Sequence, residues 1–376
     1  MVSQLTDVEI IEDHEEEQQN YSINNLTIGN KDQKLNFQKY SSPIILPNQN
    51  INQPYHNTLN NLRSTFKYVF VINWLYKFRG FLKLQSEVFD VDLFELELLN
   101  YFPELDSKIL FINKLKIAIM KYLDSNKLPI EQFEIVFRLH FGVFTPLSGN
   151  SKTINKNDEN INHQDIEEIE EIIQDHDHND HNSNDLPKFD YLLIEDKFEI
   201  LFIALNYISN NHKFRNWISN QSNNSPEFSR IDPIFSTTTK KNIKEEYVLL
   251  FDNQRLYKRT IEFPALEVPK KLKDSPTYPN EFFKSKQFDI SSTIKFEIIY
   301  LNLFEFNDYL NKIKYDKNLK SIYQKLYKPS IIESFYENEI KKRKIFTSKK
   351  KEIQLANLLA VRKRSLRLRE KEKTTT

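Results

Sequence analysis

The residues best suited to chemistry are basic, and they lie near the end of the chain. Residues 340–376 hold 14 Lys or Arg against three Glu, although the 376-residue chain has a formal net charge of zero. Such side chains release the counterions condensed on nucleic-acid phosphates, whatever the base sequence. The candidate phosphate contacts are Lys341, Lys342, Arg343, Lys344, Lys349, Lys350, Lys351, Arg362, Lys363, Arg364, Arg367 and Arg369.

These basic clusters are also compatible with roles other than phosphate binding. Runs of Lys and Arg also serve as nuclear import signals. A solvated helix face or a disordered tail would give the same composition. Because the charge of residues 331–376 is so one-sided, we favour contact with duplex DNA or nuclear import.

Potential metal ligands form a second group. His163, His176, His178 and His181 lie among Asp and Asn, and His and Asp are ligands of zinc. The segment lacks the apolar shell that fixes ligand geometry, and the chain has no Cys. We therefore expect no metal site and no cofactor.

The carboxylate pairs Glu95/Glu97 and Glu195/Glu199 have the residue type of acid–base catalysts, which also require a cleft and perturbed pKa values. Both pairs alternate with apolar residues, so we expect them to face solvent. Glu195 and Glu199, four residues apart, could instead face a basic partner helix. Four glycines form neither a P-loop nor a dinucleotide fingerprint, and no G-x-S-x-G elbow occurs. The sequence therefore predicts a protein that is not an enzyme and has no small-molecule substrate.

Apolar spacing predicts a mainly α fold that begins with a helical bundle over residues 62–143. Phe66, Phe70, Trp74 and Phe78 recur at helical intervals, with Trp74 expected at the centre. Two polar segments flank the bundle. Residues 1–60 are acidic and Asn-rich, and residues 148–188 are acidic and His-rich. Both are predicted to be disordered.

The apolar pattern of residues 190–330 predicts a second helical region with a small β-hairpin. Residues 247–251 (YVLLF) read as a strand, and Arg255 starts the return strand. Residues 220–244 read as a polar loop, and helices are expected to resume at Ser291. From 330 to 376 there is no Gly or Pro, which predicts a long C-terminal helix of roughly 60 Å. Its apolar residues are expected to pack on the body or on a partner: Leu355, Leu358, Leu359, Val361 and Leu366.

No run of 18 apolar residues occurs, so no membrane span is predicted. The acidic N-terminus lacks the basic-then-apolar order of a signal peptide, which favours an intracellular protein.

Four stretches in order resemble known chromatin modules. Residues 74–84 (WLYKFRGFLKL) and 89–99 (FDVDLFELELL) are similar to a DDT domain. Residues 192–201 (LLIEDKFEIL) and 250–257 (LFDNQRLY) resemble two segments of the WHIM motif, which follows DDT domains in remodelling subunits. The family often carries G-x-D before the aromatic strand, whereas residues 230–234 read RIDPI, without Gly.

The resemblance implies a DDT-like bundle, a WHIM-like region and a nuclear location. It implies a non-catalytic scaffold that docks an ISWI-type remodelling ATPase and contacts linker DNA or the nucleosome. Arg255 and Tyr257 would then order the WHIM turn against neighbouring helices, or form an ordinary hairpin edge. The alternative function is a general nuclear interaction scaffold or transcription cofactor whose basic tail serves only import.

Overall fold

The computed structural model describes residues 25–40, 59–102, 109–124, 128–142, 144–148, 187–225, 228, 230–240, 242–251, 254–263 and 293–375. The chain divides into two compact units. The bundle unit comprises Ile45–Arg230 and Ile345–Thr376. The sheet unit comprises Met1–Ile44 and Ile231–Lys344.

Amphipathic helices build the bundle unit. Thr65 caps its first long helix by accepting a hydrogen bond from the Tyr68 N–H, and Asp90 caps the next helix by accepting from Asp92 and Leu93. The helices of this unit are α2 (Phe66–Phe78), α3 (Val91–Leu98), α4 (Phe111–Leu123), α5 (Phe133–Phe141), α6 (Ile194–Asn210) and α7 (His212–Asn224).

Trp74 lies in the interior of this unit, as expected. Its indole Nε1 donates to Ser209 Oγ at 2.9 Å, and its ring stacks on Phe214 with centroids 5.6 Å apart. Phe78 and Trp217 pack against the same Phe214 ring. These aromatic side chains therefore form core and are not a platform for nucleic-acid bases.

The expectation that Glu95 and Glu97 face solvent is wrong. Both side chains on α3 are buried. Arg63 forms an ion pair with Glu95 at 2.6 Å, and the Tyr68 hydroxyl donates to the same carboxylate. Burial of these charges is compatible with folding because each carboxylate has a cation and a further donor.

The sheet unit contains an antiparallel sheet, which has four strands in the order β1-β2-β3-β4 within the described residues. Leu250 pairs with Arg255 at the β2–β3 turn, so the predicted hairpin is confirmed. The strands are β1 (Phe235–Lys240), β2 (Ile243–Leu250), β3 (Arg255–Glu262) and β4 (Thr293–Tyr300).

Two strands lie where none was expected. β1 falls within the predicted polar loop, and β4 replaces the start of a predicted helix. Ile294 and Ile298 are four residues apart, which suits a helix. They also belong to a run rich in β-branched residues, TIKFEIIY, that pairs with β3. Helices resume with α8 (Leu303–Ile313), capped by Asn302, and α9 (Lys320–Leu326).

Part of the predicted N-terminal arm is ordered. Residues 25–40 carry α1 (Lys31–Gln38), which begins with a capping box between Asn30 and Gln33. Leu26 and Phe37 belong to the core of the sheet unit. Few apolar residues lie in this segment, but Leu26, Ile28 and Phe37 are buried, which composition alone does not reveal.

Gly29 permits this N-terminal segment to pack closely. Its φ is 86°, and a Cβ placed there would lie 2.5 Å from the Tyr336 ring. The Tyr336 hydroxyl donates to the Ile28 carbonyl at 2.8 Å. A side chain at position 29 would therefore meet both backbone strain and a steric clash.

The predicted long C-terminal helix is present as α10 (Pro329–Thr375), 47 residues and about 70 Å long. Pro329 occupies its first position, where the missing N–H costs no helical hydrogen bond. Residues up to Lys344 belong to the sheet unit and those from Ile345 onward to the bundle unit.

The boundary expected at residue 190 differs from the structure. Helices α6 and α7 group with the bundle unit, and the sheet unit resumes at Ile231. Most of the acidic insert 148–188, including the four histidines considered as metal ligands, lies outside the described residues. Within the part of the chain that is described, no group of candidate ligands could hold a metal, and no helix has the length and apolarity to cross a membrane.

Candidate nucleic-acid interface on the C-terminal helix

One face of α10 is buried along much of its length. The residues of this face recur at alternating intervals of four and three positions, a repeat that keeps one side of a helix against a packed surface. Apolar and charged side chains share this inner face, which comprises Phe335, Glu339, Lys342, Phe346, Lys349, Ile353 and Ala360.

The first basic cluster belongs to the sheet unit, and half of it is engaged there. Lys342 is buried and pairs with Glu339 at 2.8 Å. The Arg343 guanidinium lies 4.2 Å from the Phe37 ring centroid and donates to the Tyr40 carbonyl. Burial lowers the pKa of Arg343, and Glu339 opposes that shift. These contacts remove Lys342 and Arg343 from the predicted phosphate contacts.

Lys341 and Lys344 differ from their two neighbours because they are exposed. The Lys344 ammonium lies over the Tyr40 ring, 4.6 Å from its centroid, and the residue as a whole remains exposed. Both side chains remain available to an anionic partner.

The second basic cluster belongs to the bundle unit. Lys349 forms an ion pair with the buried Glu97, which also accepts a 2.8 Å hydrogen bond from the Ile112 N–H. Lys349 therefore has a structural role in the bundle unit. Lys350 and Lys351 are exposed.

The third basic cluster is described only at its beginning. Arg362 is exposed. The backbone of Lys363, Arg364, Arg367 and Arg369 is helical, but their side chains lie outside the described residues. Among the twelve candidate phosphate contacts, those with described and exposed side chains are Lys341, Lys344, Lys350, Lys351 and Arg362.

Four of the five apolar residues expected to pack near the end of α10 are exposed, and the side chain of the fifth, Leu366, lies outside the described residues. Leu355 is 60% exposed and Leu358 is 69% exposed, and Leu359 and Val361 are exposed too. Lys351, Leu355, Leu358 and Arg362 follow one another at intervals of four, three and four, so they share a helix face. We call these four residues the outer face. It combines exposed apolar area with two flanking cations.

The four residues considered for partner binding lie in different surroundings. On the bundle unit, Glu199 is paired with Lys67, and Glu195 is half-buried. On the sheet unit, Arg255 and Tyr257 are each 1% exposed, and Tyr257 packs against Phe251. A partner could reach Glu195 and Glu199, whereas Arg255 and Tyr257 are interior residues in this conformation.

Sequence reasoning missed the separation between inner and outer cations. The signal was present, since Phe346, Ile353 and Ala360 recur every seven residues and Lys342 and Lys349 have the same spacing. A count of charges does not separate these lysines from their neighbours. Their position around the helix does, because residues seven apart lie on the same face as the buried apolar residues.

A comparison with known families gave one match, and it falls in the bundle unit. Residues 66–162 match the family described as the ISWI one complex protein 2 N-terminal domain, over about a quarter of the chain. The matched range includes Glu97, the partner of Lys349. Searches of curated proteins and of solved structures gave no match. The match supports a relationship to ISWI-complex proteins; the DDT and WHIM resemblances remain expectations from short motifs.

Proposed function

We propose that this protein is a non-catalytic accessory subunit of an ISWI-type chromatin-remodelling complex. The observation that carries the proposal is the match of residues 66–162 to the ISWI one complex protein 2 N-terminal domain. The DDT-like and WHIM-like motifs point to the same class of nuclear protein. In this role the chain is a scaffold that docks the ATPase and contacts linker DNA.

The two proposed contacts fall on different features. Exposed cations of α10, among them Lys350, Lys351 and Arg362, supply a sequence-independent attraction to phosphate. The exposed leucines of the outer face supply apolar area of the kind that protein partners cover. Glu195 and Glu199 offer acidic charge on α6 to a basic partner segment.

Affinity purification of the full chain from cells, with identification of the co-purifying proteins, tests the proposal. The cell's ISWI ATPase should be recovered under mild salt. Absence of that ATPase from the purified material would contradict the proposal. If the ATPase is recovered but duplex DNA does not bind at low salt, the scaffold role stands and the basic helix serves nuclear import instead.

A further inference from the structure

A small polar cavity lies inside the bundle unit, away from the outer face of α10. Its volume is about 130 Å³. It lies between the end of α3, the start of α4, the 3-10 turn Phe189–Tyr191 and α6. Pockets for drug-sized ligands and cofactors span roughly 300–1,000 Å³, so this cavity has room for one small polar group and not for a cofactor. The polar residues that line it include Glu97, Asn100, Asp190 and Lys197.

Lys197 brings a positive charge into this cavity. The residue is 2% exposed. Its ammonium donates to the Leu98 carbonyl at 2.6 Å and to Asn100 Oδ1 at 3.4 Å. Both acceptors are neutral, and no carboxylate among the described residues forms an ion pair with it. A buried ammonium without an ion-paired carboxylate is costly, because hydrogen bonds to neutral acceptors offset only part of its desolvation.

The other described charges that line the cavity, those of Glu97 and Asp190, are already paired. Lys116, which is buried, pairs with Asp190 at 2.6 Å. Glu97 pairs with Lys349. Among the charged residues that the structure describes around the cavity, Lys197 therefore remains as one positive charge in excess. The pKa of Lys197 is lowered to about 8; burial is the main cause, the Asp190 charge opposes the shift and the Lys116 charge adds to it.

The cavity has a polar rim that reaches solvent. Asn100 follows α3 with φ of 59°, a left-handed conformation that Asn tolerates at a helix end. Its N–H bonds to the Glu97 carbonyl, while its side-chain amide donates to the Asp190 carbonyl at 2.7 Å. Asn100 and the Asp190 side chain are exposed. An anionic group can therefore approach Lys197 past Asn100.

We propose that this cavity, the Lys197 pocket, binds the carboxylate of an acidic side chain presented by a partner protein. A carboxylate fits the available volume, supplies the missing negative charge and accepts hydrogen bonds from the ammonium. Phe189 provides an apolar wall that lies 4.4 Å from Lys116 Nζ and 5.8 Å from Lys197 Nζ. The site is independent of the proposed DNA contact and of the identity of the ATPase.

Calorimetric titration of the full chain with an acetylated, amidated tetra-glutamate peptide tests the pocket, with tetra-glutamine as the uncharged probe. Tetra-glutamate should bind and tetra-glutamine should not. Lys197→Met should weaken tetra-glutamate binding at least about tenfold, the loss of one charge-assisted hydrogen bond. Lys213→Met, at an exposed lysine of α7, is the matched control and should bind like the wild type.

The pH and a second variant keep the result interpretable. Affinity should fall as the pH rises above about 8, because Lys197 loses its charge there. Asn100→Ala, at the rim, should also weaken tetra-glutamate binding. This variant tests the pocket even if Lys197→Met does not fold. Equal binding of the two peptides, or wild-type affinity in both variants, would overturn the proposal. If inorganic phosphate competes with tetra-glutamate more strongly than acetate does, the pocket binds a phosphate group and the proposed carboxylate ligand is wrong.

Discussion

Lys349 of the basic C-terminal segment forms an ion pair with Glu97, a carboxylate of α3 that is buried in the bundle unit. The pair lies next to Phe346, whose ring packs against Tyr101 and Phe102. Part of α10 is therefore structural, and a basic residue in this segment is not by itself a phosphate contact.

Lys349→Met should destabilise the folded chain by roughly 3–5 kcal/mol, because it leaves the Glu97 carboxylate buried without its cation. The free energy of unfolding is measured by denaturant titration. Lys350→Met, at the exposed neighbour, should change it by less than about 0.5 kcal/mol. Equal stability of the two variants would mean that the Glu97–Lys349 contact does not hold the helix.

Lys350→Gln combined with Lys351→Gln should reduce the salt dependence of duplex DNA binding. If each lysine neutralises one phosphate, the slope of log K against log salt should become shallower by about 1.8. Fluorescence anisotropy with a random duplex at several salt concentrations measures the slope.

The control for this pair is Lys317→Gln combined with Lys320→Gln, two exposed lysines outside α10. It should leave the slope unchanged. Substitutions are a sharper test than deletion of residues 340–376, since deletion also removes the buried Phe346 and Ile353. An unchanged slope in the first variant would exclude these lysines as DNA contacts.

Leu355→Ser combined with Leu358→Ser should weaken recovery of the ATPase in affinity purification and leave thermal unfolding close to that of the wild type. Both leucines are largely exposed, so they contribute little to the folded state and are available to a partner. Ile353→Ala, on the inner face, should instead destabilise the fold by about 2–5 kcal/mol. Full ATPase recovery with the double variant would rule out the outer face as the docking surface.

The free energy of unfolding should rise with pH between about 8 and 10 through Lys197. Burial lowers the folded-state pKa of Lys197 to about 8, while the unfolded chain keeps the proton to about pH 10.4. In this window the unfolded state binds more protons, so raising the pH favours the folded state.

Lys197→Met should remove that contribution. The stability difference between variant and wild type should change by about 2–3 kcal/mol from pH 7 to pH 10, measured by denaturant titration. Lys213→Met, at an exposed lysine, should run parallel to the wild type. A pH-independent difference for Lys197→Met would show that the folded-state pKa is near its usual value.

Gly29→Ala should destabilise the sheet unit by more than about 1 kcal/mol, because both its positive φ and the Tyr336 ring oppose a methyl group. Gly142→Ala is the matched control. Gly142 also has positive φ, 71°, but nothing lies within 4 Å of a Cβ placed there. The loss in Gly29→Ala should exceed that in Gly142→Ala when both are measured by thermal unfolding.

The fold features that sequence reasoning predicted correctly depend on local pattern. Trp74 and Phe78 follow helical spacing, the β2–β3 hairpin shows a strand followed by a turn, and α10 lacks Gly and Pro after Pro329. Each of these signals is contained within a few turns or one hairpin.

The features that were missed depend on distant partners. β4 becomes a strand because β3 pairs with it, and Ile294 and Ile298 by themselves have helical spacing. Glu97 is buried because Lys349, 252 residues later, neutralises it. No local pattern encodes such a partner, so exposure of a charged side chain is the default expectation and fails here.

The hydrogen bond from Tyr336 to the Ile28 carbonyl joins residues 308 positions apart. During synthesis, at roughly 5–20 residues per second, the N-terminal segment leaves the ribosome about 15–60 s before its partner exists. Throughout this interval the N-terminal segment lacks its contacts with α10, including the packing of Phe37 on Tyr336. Completion of the sheet unit is therefore a late event in translation, and chains that terminate before α10 leave this core without Phe335, Tyr336 and Ile340, open to aggregation or to chaperones.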